Sequence, residues 1–370
     1  MFQTSVEFAW RDFKLIERFR TGVSLHGHTM HSEECLSFIP RLLRRIPGVE
    51  PLVQRYQHEG KPVDFASAYW TPPLGPASAL HLEQTQILGM GLRPLVSLTD
   101  HDNIEAGMSL RVTADPRDVP VSVEWTVPYE RSVLHLGVHN LPPESARAWV
   151  ARFSGYTADP REERLPGLME ELASIPDILI VLNHPFWLEE GVRQADHCRA
   201  LDRVLREGIL FLQAFELNGT RTWNENAKVV ELARAHRRPL ISGGDRHACE
   251  PSACINLTNA ATFSEFVAEI RGGDSSILFL AQYREPLAVR LSEAAWDILR
   301  RYPEYPGRER WTDRIYYRGE DAVARPLSAV WKDEGPWPLR AITTGLQVAV
   351  STKLHFALRL FLAQGGELVR

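Results

Sequence analysis

The segment Leu25–Glu33, with the sequence LHGHTMHSE, contains three histidines and one glutamate within nine residues. Further histidines and carboxylates lie at or near the ends of short apolar runs along the chain: Asp100, His101, Asp102, Glu124, His135, His139, His184, Asp245 and His247. Imidazoles and carboxylates without cysteine suit Zn²⁺, Mn²⁺ or Fe²⁺ at a catalytic site and disfavour a structural zinc site. The residue types therefore indicate a catalytic metal centre.

The number of candidate ligands indicates more than one ion. About nine ligands exceed the roughly four to six positions around a single ion, whereas two or three ions that share a bridging carboxylate would use them all. Clustered divalent ions lower the pKa of a bound water and hold the oxygens of a phosphoryl group during displacement. Metal-dependent hydrolysis of a phosphoester is the chemistry that this set favours.

Seven apolar runs precede or contain these residues, and several have consecutive Val, Ile and Leu, as strands buried on both faces do. The runs are Val23–His28, Leu95–His101, Val121–Trp125, Val133–His139, Ile178–His184, Leu210–Asn218 and Pro239–Asp245. Helical stretches between them include Ala77–Gly89, Glu163–Ser174 and Asn224–His236. This alternation predicts a parallel sheet, and seven units predict an α/β barrel. The C-terminal ends of barrel strands converge on one face, which would bring the candidate ligands together.

Five motifs resemble those of the PHP family, named after polymerase and histidinol phosphatase. They are His26-x-His28-Thr29, Ser32-Glu33, Thr99-Asp100-His101-Asp102, Asn183-His184-Pro185 and Gly243-Gly244-Asp245-Arg246-His247. Their order matches the family, and the resemblance covers roughly residues 20–280. It implies a distorted (β/α)7 barrel with a trinuclear metal centre and metal-dependent phosphoesterase activity.

The resemblance also implies a role for each ligand. His26, His28, Glu124 and Asp245 would hold one ion, Glu33, His101 and His247 a second, and Glu124, His135 and His184 a third. Asp102 and Glu124 are the predicted catalytic residues. Glu33 departs from the family, which usually has Asp at this position, so its carboxylate must reach from a slightly retracted backbone.

Two histidines compete for one ligand position. His135 follows Glu124 by eleven residues, as in the His-x-Leu-Gly element of one branch of the family, although the element here is one residue shorter. His139 matches the Gly-x-His context of the histidinol phosphatase branch. The prediction takes His135 as the ligand and His139 either as a residue that supports the ligands or as a substrate contact.

Two arginines are predicted to bind the substrate. Arg246 stands between two ligands where the family has a small residue, and Arg221 follows an apolar run. A guanidinium can bind phosphate oxygens in a bidentate manner. For Arg246 the alternative is a salt bridge to a carboxylate behind the strand, such as Glu250 or Glu216.

Composition limits the classes of partner. The chain has 370 residues, a net charge of −5 and a sequence pI near 6.2, which give no field to attract nucleic acid or an anionic membrane. The start of the chain lacks the pattern of a signal peptide, and four cysteines without a tight framework favour a reducing cytoplasm. The most apolar segment, Ala341–Ala363, contains Lys353, His355 and Arg359 and is predicted to be a packed helix, not a membrane span.

The chain is predicted to divide into a barrel domain, residues 1–285, and a mostly helical C-terminal appendage, residues 286–370. An insertion over about residues 35–76 is predicted to cap the barrel. Arginine alternates with aromatic residues over Arg300–Trp311, but acidic residues lie among them, so nucleic acid binding is not favoured. Packing of the appendage on the barrel or on a second subunit, as in a homo-oligomer, is the preferred interpretation.

Two alternatives to a phosphoesterase remain. Amidohydrolases with two metals commonly bridge them through a lysine at a strand end. The lysines of this chain lie outside the predicted strand ends, at Lys14, Lys61, Lys228, Lys332 and Lys353. A non-catalytic PHP module would be expected to have lost ligands, and none is missing here.

Overall fold

The computed structural model describes residues 3–37, 68–113, 115, 117–318, 323–329, 331 and 337–349. Most of the predicted cap, including Phe38–Arg45, lies outside the described residues. So does the predicted helix Ala341–Ala363 beyond residue 349.

The described strands form three sheets. In chain order they are β1 (Gln3–Phe8), β2 (Thr21–Leu25), β3 (Glu34–Cys35), β4 (Ala68–Trp70), β5 (Arg93–Ser97), β6 (Val123–Tyr129), β7 (Ser132–His139), β8 (Leu179–Asn183), β9 (Ala214–Asn218), β10 (Leu240–Gly243), β11 (Cys254–Thr258), β12 (Asp274–Phe279), β13 (Ile315–Arg318) and β14 (Ala324–Pro326). The first sheet has the order β1-β12-β11-β2-β5, the second β10-β9-β8-β7-β6, and the third β14-β13-β4-β3.

Helices connect and cover these strands. They are α1 (Pro76–Gly89), α2 (Glu105–Leu110), α3 (Pro143–Ala158), α4 (Leu165–Ala173), α5 (Gln194–Gly208), α6 (Trp223–His236), α7 (Phe263–Gly272), α8 (Leu287–Leu299) and α9 (Trp337–Ala349). Local sequence fixes several starts. Thr222 and Thr262, for example, accept hydrogen bonds from the backbone N–H three residues later and so cap α6 and α7. The predicted helices at 77–89, 163–174 and 224–236 correspond to α1, α4 and α6.

Apolar side chains of the first two sheets share a core. Val23 and Leu95 from the first sheet pack with Val181 and Ile241 from the second, and α7 contributes Phe266 to the same cluster. Strands β2, β5, β8, β9 and β10 are largely buried, which explains their nearly continuous apolar sequences. The other face of the second sheet packs against α3, α4 and α5.

All seven predicted strands are present, as β2 and β5 to β10. Among the described residues, single parallel bridges, Gly27–Arg246 and His101–Glu124, are the pairings that join the first two sheets. The structure is therefore a mixed α/β fold in which no closed barrel is formed by continuous strand pairing. The expectation of an all-parallel sheet is wrong for β7, which is antiparallel to both β6 and β8.

The third sheet joins strands that lie far apart along the chain. Strand β13, from the predicted C-terminal appendage, pairs with β4 so that Ile315 lies opposite Trp70. Strand β4 in turn pairs with β3, where Trp70 lies opposite Glu34. The appendage was expected to be mostly helical. It contains the helices α8 and α9, but it also contains β13 and β14, which belong to this sheet.

Candidate metal centre

Four groups of histidines and glutamates place their ligand atoms within 4.8 Å of one another. The groups are His28, Glu34, His101 and His247; His26, His28 and Glu124; His26, His184 and Glu216; and Glu124, His135 and His184. Because the groups share His26, His28, Glu124 and His184, they form one continuous set, which we call the histidine–glutamate cluster. Seven of the nine ligands predicted from the sequence lie in it; Glu33 and Asp245 do not.

The backbone at the ends of β2 and β10 shapes the cluster. His26 and Asp245 have left-handed backbone conformations, with φ of 61° and 46°. The two segments are joined by a hydrogen bond of 2.8 Å from the N–H of His28 to the carbonyl of Arg246. Non-glycine residues with positive φ persist where the surrounding structure enforces them, and they are concentrated at functional sites. Here they direct both side chains toward the same space.

Glu124, near the start of β6, occupies the centre of the cluster and is fully buried. Its Oε2 lies 2.9 Å from His26 Nε2 and 3.3 Å from His28 Nε2. Its Oε1 lies 3.1 Å from His184 Nε2 and accepts a hydrogen bond of 3.0 Å from the Asn183 side chain. Burial alone would raise the pKa of this carboxyl, but the neighbouring imidazoles, His26 foremost, hold it well below its usual value.

Glu34, not the predicted Glu33, supplies the carboxylate at the β3 side of the cluster. Glu34 Oε1 lies 3.1 Å from His247 Nε2, and its Oε2 lies 3.6 Å from His101 Nε2. Glu33 is half exposed and pairs instead with Arg318 of β13 at 2.6 Å. Adjacent residues of an extended segment point to opposite sides, so only one of the two glutamates can face the cluster. The expectation for Glu33 is corrected accordingly.

Asp245 stands beside the four groups. Its Oδ1 lies 3.7 Å from the Nε2 atoms of both His26 and His28. Its Oδ2 accepts a hydrogen bond of 2.9 Å from Arg221, whose guanidinium lies 4.0 Å from the centre of the Trp187 ring. Arg221 is therefore held at the edge of the cluster by a charge-assisted hydrogen bond and by stacking on an aromatic face.

The two competing histidines have different positions. His135 Nδ1 lies 3.8 Å from Glu124 Oε1, within the cluster. His139 lies outside the four groups; it is buried, and its Nδ1 is 2.8 Å from Ser97 Oγ. Because β7 runs antiparallel to its neighbours, its last residue lies away from the edge at which the parallel strands end. Burial lowers the pKa of His135 to about 3, which keeps its imidazole in the neutral form that binds metals.

Arg246 does not reach the cluster. It is 4% exposed, its Nε donates a hydrogen bond of 3.0 Å to Glu83 of α1, and Nη1 donates one to the carbonyl of Ala248. The predicted substrate contact is thus replaced by the salt bridge considered as its alternative. The partner is Glu83, not the expected Glu250 or Glu216.

Asp102, predicted to be catalytic, braces the backbone. Its Oδ1 accepts a hydrogen bond of 2.9 Å from the N–H of Thr126, and its own N–H donates to the carbonyl of Glu124. It belongs to none of the four groups found among the described residues. Its observed contacts position β6, and thereby Glu124.

Glu216 is the cluster residue that sequence reasoning missed. Its Oε1 makes a short contact with His26 Nδ1, and its Oε2 accepts a hydrogen bond of 2.7 Å from the N–H of His184. A signal was present, since Glu216 is the one charged residue in the apolar run Leu210–Asn218. A lone carboxylate inside a buried strand requires a partner.

The cluster fits divalent cations. His28 Nε2 is buried beside Glu124 and has no hydrogen-bond partner among the described residues. Burial by itself lowers the pKa of His247, yet Glu34 raises it to about 9, so the carboxylates favour positive charge at this site. An ion bound by imidazole and carboxylate ligands would both complete the unpaired nitrogen and balance the buried carboxylates.

A cavity of about 360 Å³ opens beside the cluster. Its lining includes Glu34, Asp245 and His247 of the site and several residues of α8. The volume lies near the lower end of the roughly 300–1,000 Å³ typical of small-molecule sites. A small ligand can therefore reach the histidine–glutamate cluster from this cavity.

Comparison with known proteins gives weak resemblances. No family model and no curated protein matches the sequence. The solved structures that the chain resembles at this level include PsfC from Pseudomonas syringae (TM-score 0.41, 16% identity, 74% of this chain and 96% of that one). They also include a Bifidobacterium adolescentis protein to which metal-dependent phosphoesterase activity has been ascribed (TM-score 0.35, 15%, 69% and 97%) and an amidohydrolase from Chromobacterium violaceum (TM-score 0.37, 14%, 61% and 87%). At these values the resemblances assign neither a family nor an activity to this chain.

Of the helices in the part of the chain that the structure describes, none combines the length and apolar character needed to cross a membrane.

Proposed function

We propose that this protein hydrolyses a small phosphoester at a centre of two or three divalent metal ions, Zn²⁺, Mn²⁺ or Fe²⁺, held by the histidine–glutamate cluster. The main support is the position of Glu124. One of its oxygens lies 2.9 Å from His26 Nε2, and the other lies 3.1 Å from His184 Nε2. A buried carboxylate with imidazoles at both oxygens suits a bridge between two ions.

Three of the four groups define which residues would hold the ions. A neutral imidazole binds one ion, so His28 is assigned once, with His26 and Glu124. Glu34, His101 and His247 would hold a second ion, and Glu124 with His135 and His184 a third. When bound, such ions supply an activated water and neutralise charge on the phosphoryl oxygens. Neutral imidazoles and ionised carboxylates are the ligand forms required, and the pKa directions of His135 and Glu124 agree with them.

Other side chains orient the ligands and the substrate. Glu216 interacts with His26 Nδ1 and so directs Nε2 into the cluster, which is a common arrangement for ligating histidines. Arg221, fixed between Asp245 and Trp187, places a positive charge beside the cavity, where it would bind phosphate oxygens. Asn183 donates to Glu124 and limits its rotation.

We further propose that the fold is a distorted barrel of the PHP type. Strands β2 and β5 to β10 follow one another in space, and single bridges link β2 to β10 and β5 to β6 at the segments that carry His26, His101 and Glu124. The antiparallel β7 would be the source of the distortion.

Metal analysis and a hydrolase assay test the proposed function. Full-length protein loaded with Mn²⁺ or Zn²⁺ is expected to contain at least two ions and to release phosphate from a panel of small phosphate esters. Glu124→Gln is expected to abolish release while the protein stays folded, whereas Glu163→Gln, an exposed control, should behave as wild type. Cleavage of amides but not phosphate esters would instead indicate an amidohydrolase. Bound ions without either activity would indicate a non-catalytic module.

A further inference from the structure

Helix α8 presents an apolar face to the cavity beside the cluster. Its cavity-lining residues are Leu287, Arg290, Leu291, Ala294, Ala295 and Ile298. They recur at intervals of three and four, so they form one stripe along the helix. Leu291 is 53% exposed, and the other members of the stripe are half-buried. The two alanines leave space that larger side chains would fill.

Two tryptophans add aromatic surface to the same cavity. The Trp70 ring centre lies 5.9 Å from that of His247, and the Trp187 ring lies under Arg221 and is 39% exposed. Aromatic rings bury much apolar area and favour offset or edge contacts with a planar partner. The cavity therefore has a candidate metal centre at one part of its wall and a mostly apolar part that could hold one small group. We call the part lined by the α8 stripe, Trp70 and Trp187 the chamber.

Both signs of charge lie around the cavity, so charge alone does not select the leaving group. Glu250 lies at the side of α8, whereas Arg221 and Arg290 are cations of the same lining. Arg290 donates a hydrogen bond to the carbonyl of Gly219 and lies over the Tyr283 ring. The apolar surface of the α8 stripe and the two tryptophans remains for the leaving group, and an uncharged apolar group gains by leaving water there.

We propose that the substrate is a phosphate ester of a planar, apolar alcohol, such as an aryl phosphate, with its leaving group on the α8 stripe. This inference rests on the proposed phosphoester hydrolysis. In that reaction the oxygen of water bonds to phosphorus and the P–O bond to the aryl oxygen breaks. The released oxygen keeps the electron pair and takes one proton from the water, while the phosphate takes the other.

The first test is binding, measured with probes that cannot be hydrolysed. Titration calorimetry on the metal-loaded, full-length protein would compare phenylphosphonate with methylphosphonate. Wild type is expected to bind phenylphosphonate at least about ten-fold more tightly than methylphosphonate, since even small apolar groups change affinity by about ten-fold in a fitted pocket. Ala294→Phe, which fills the chamber, should remove this preference and leave methylphosphonate binding intact.

Two further variants separate the chamber from general effects on folding. Ala288 is an exposed alanine of the same helix outside the stripe, so Ala288→Phe should keep the wild-type preference. Leu291→Asn changes an exposed side chain, so it should fold normally and reduce the preference in part. A normal thermal unfolding curve for each variant would show that it is folded.

The outcomes distinguish this inference from the proposed function. Equal affinity of wild type for both phosphonates, no binding of either, or an unchanged preference in Ala294→Phe would overturn the aryl-ester inference. If wild type also hydrolyses glycerol phosphate and phenyl phosphate equally well, the proposed phosphoesterase function stands and the aryl-ester inference does not. A clear phenylphosphonate preference without hydrolysis of any phosphate ester would support the chamber and contradict the proposed function.

Discussion

The carboxylate of Glu216 on β9 lies against the backbone of Gly243 on β10. A Cβ atom added to Gly243 would stand 1.5 Å from Glu216 Oε1 and 2.7 Å from Glu216 Cγ. No side chain larger than hydrogen fits between them while Glu216 keeps its contact with His26. Gly243 is thus required by the position of a neighbouring carboxylate.

Gly243→Ala is expected to weaken metal binding. The added methyl group must displace Glu216, which frees the ring of His26, and loss of such an orienting contact typically lowers metal affinity by about 10–100-fold. Competition of the purified protein with a metal-binding dye would measure the change. Gly155→Ala in α3, where a Cβ meets nothing within 4 Å, is the control and should leave metal affinity unchanged. Wild-type affinity in Gly243→Ala would show that Glu216 does not position the cluster.

Glu34→Gln and Glu33→Gln form a matched pair. Glu34 lies in the cluster, so its amide should cost the protein one bound ion per chain. Glu33 makes an exposed ion pair with Arg318, so its amide should change stability by less than about 1 kcal/mol and leave the metal content as in wild type. Elemental analysis after dialysis measures both. Loss of an ion from Glu33→Gln but not from Glu34→Gln would identify Glu33 as the ligand.

Arg246→Met is expected to destabilise the fold by about 3–5 kcal/mol, because it leaves the carboxylate of Glu83 buried without its cation. Glu83 also accepts hydrogen bonds from Ser24 and Ser252, so the loss should affect the segments on both sides of the cluster. Denaturant unfolding provides the measurement. Adding Glu83→Gln to Arg246→Met should recover part of the stability, since it removes the uncompensated charge. No recovery in the double variant would show that packing, not charge, causes the loss.

Glu250→Gln should stabilise the protein above neutral pH. Burial, together with the neighbouring Glu293, raises the pKa of Glu250 to about 7. The pKa of this carboxyl is higher in the folded protein than in the unfolded chain, where it is about 4.3. The free energy of unfolding of the protein therefore falls as the pH rises between the two values. Thermal unfolding of metal-stripped protein should therefore show a higher Tm for Glu250→Gln than for wild type at pH 8 and little difference at pH 4.5. The exposed Glu144→Gln is the control. Equal curves at pH 8 would contradict the raised pKa.

The sequence predicted the strands and most of the cluster because both depend on local pattern. Runs of Val, Ile and Leu mark buried strands, and His26, His101 and His184 lie at or near the ends of such runs. The direction of β7 was missed although a signal was present: the predicted runs Val121–Trp125 and Val133–His139 lie too close together for the crossover that a parallel pair needs. That direction is what separates His135 from His139.

Partners distant in sequence were the main source of error. Arg246 was expected at the cluster because its neighbours are there, but Glu83 on α1 holds it behind the strand. The choice between Glu33 and Glu34 depends on where β3 begins, and this is set by pairing with β4, far along the chain. Neither contact leaves a mark in the local sequence, since both arise only from the tertiary fold.

The third sheet has a consequence for the order of events during synthesis. Strands β3 and β4 have two and three residues, and a pair this short is marginal without further strands. Its neighbour β13 is made long after β3 and β4, so the edge strand that carries Glu34 is secured only when residues 315–318 have left the ribosome. A nascent chain can therefore fold its first two sheets while one group of ligands stays incomplete. We expect full metal loading to require β13 and not to precede its synthesis.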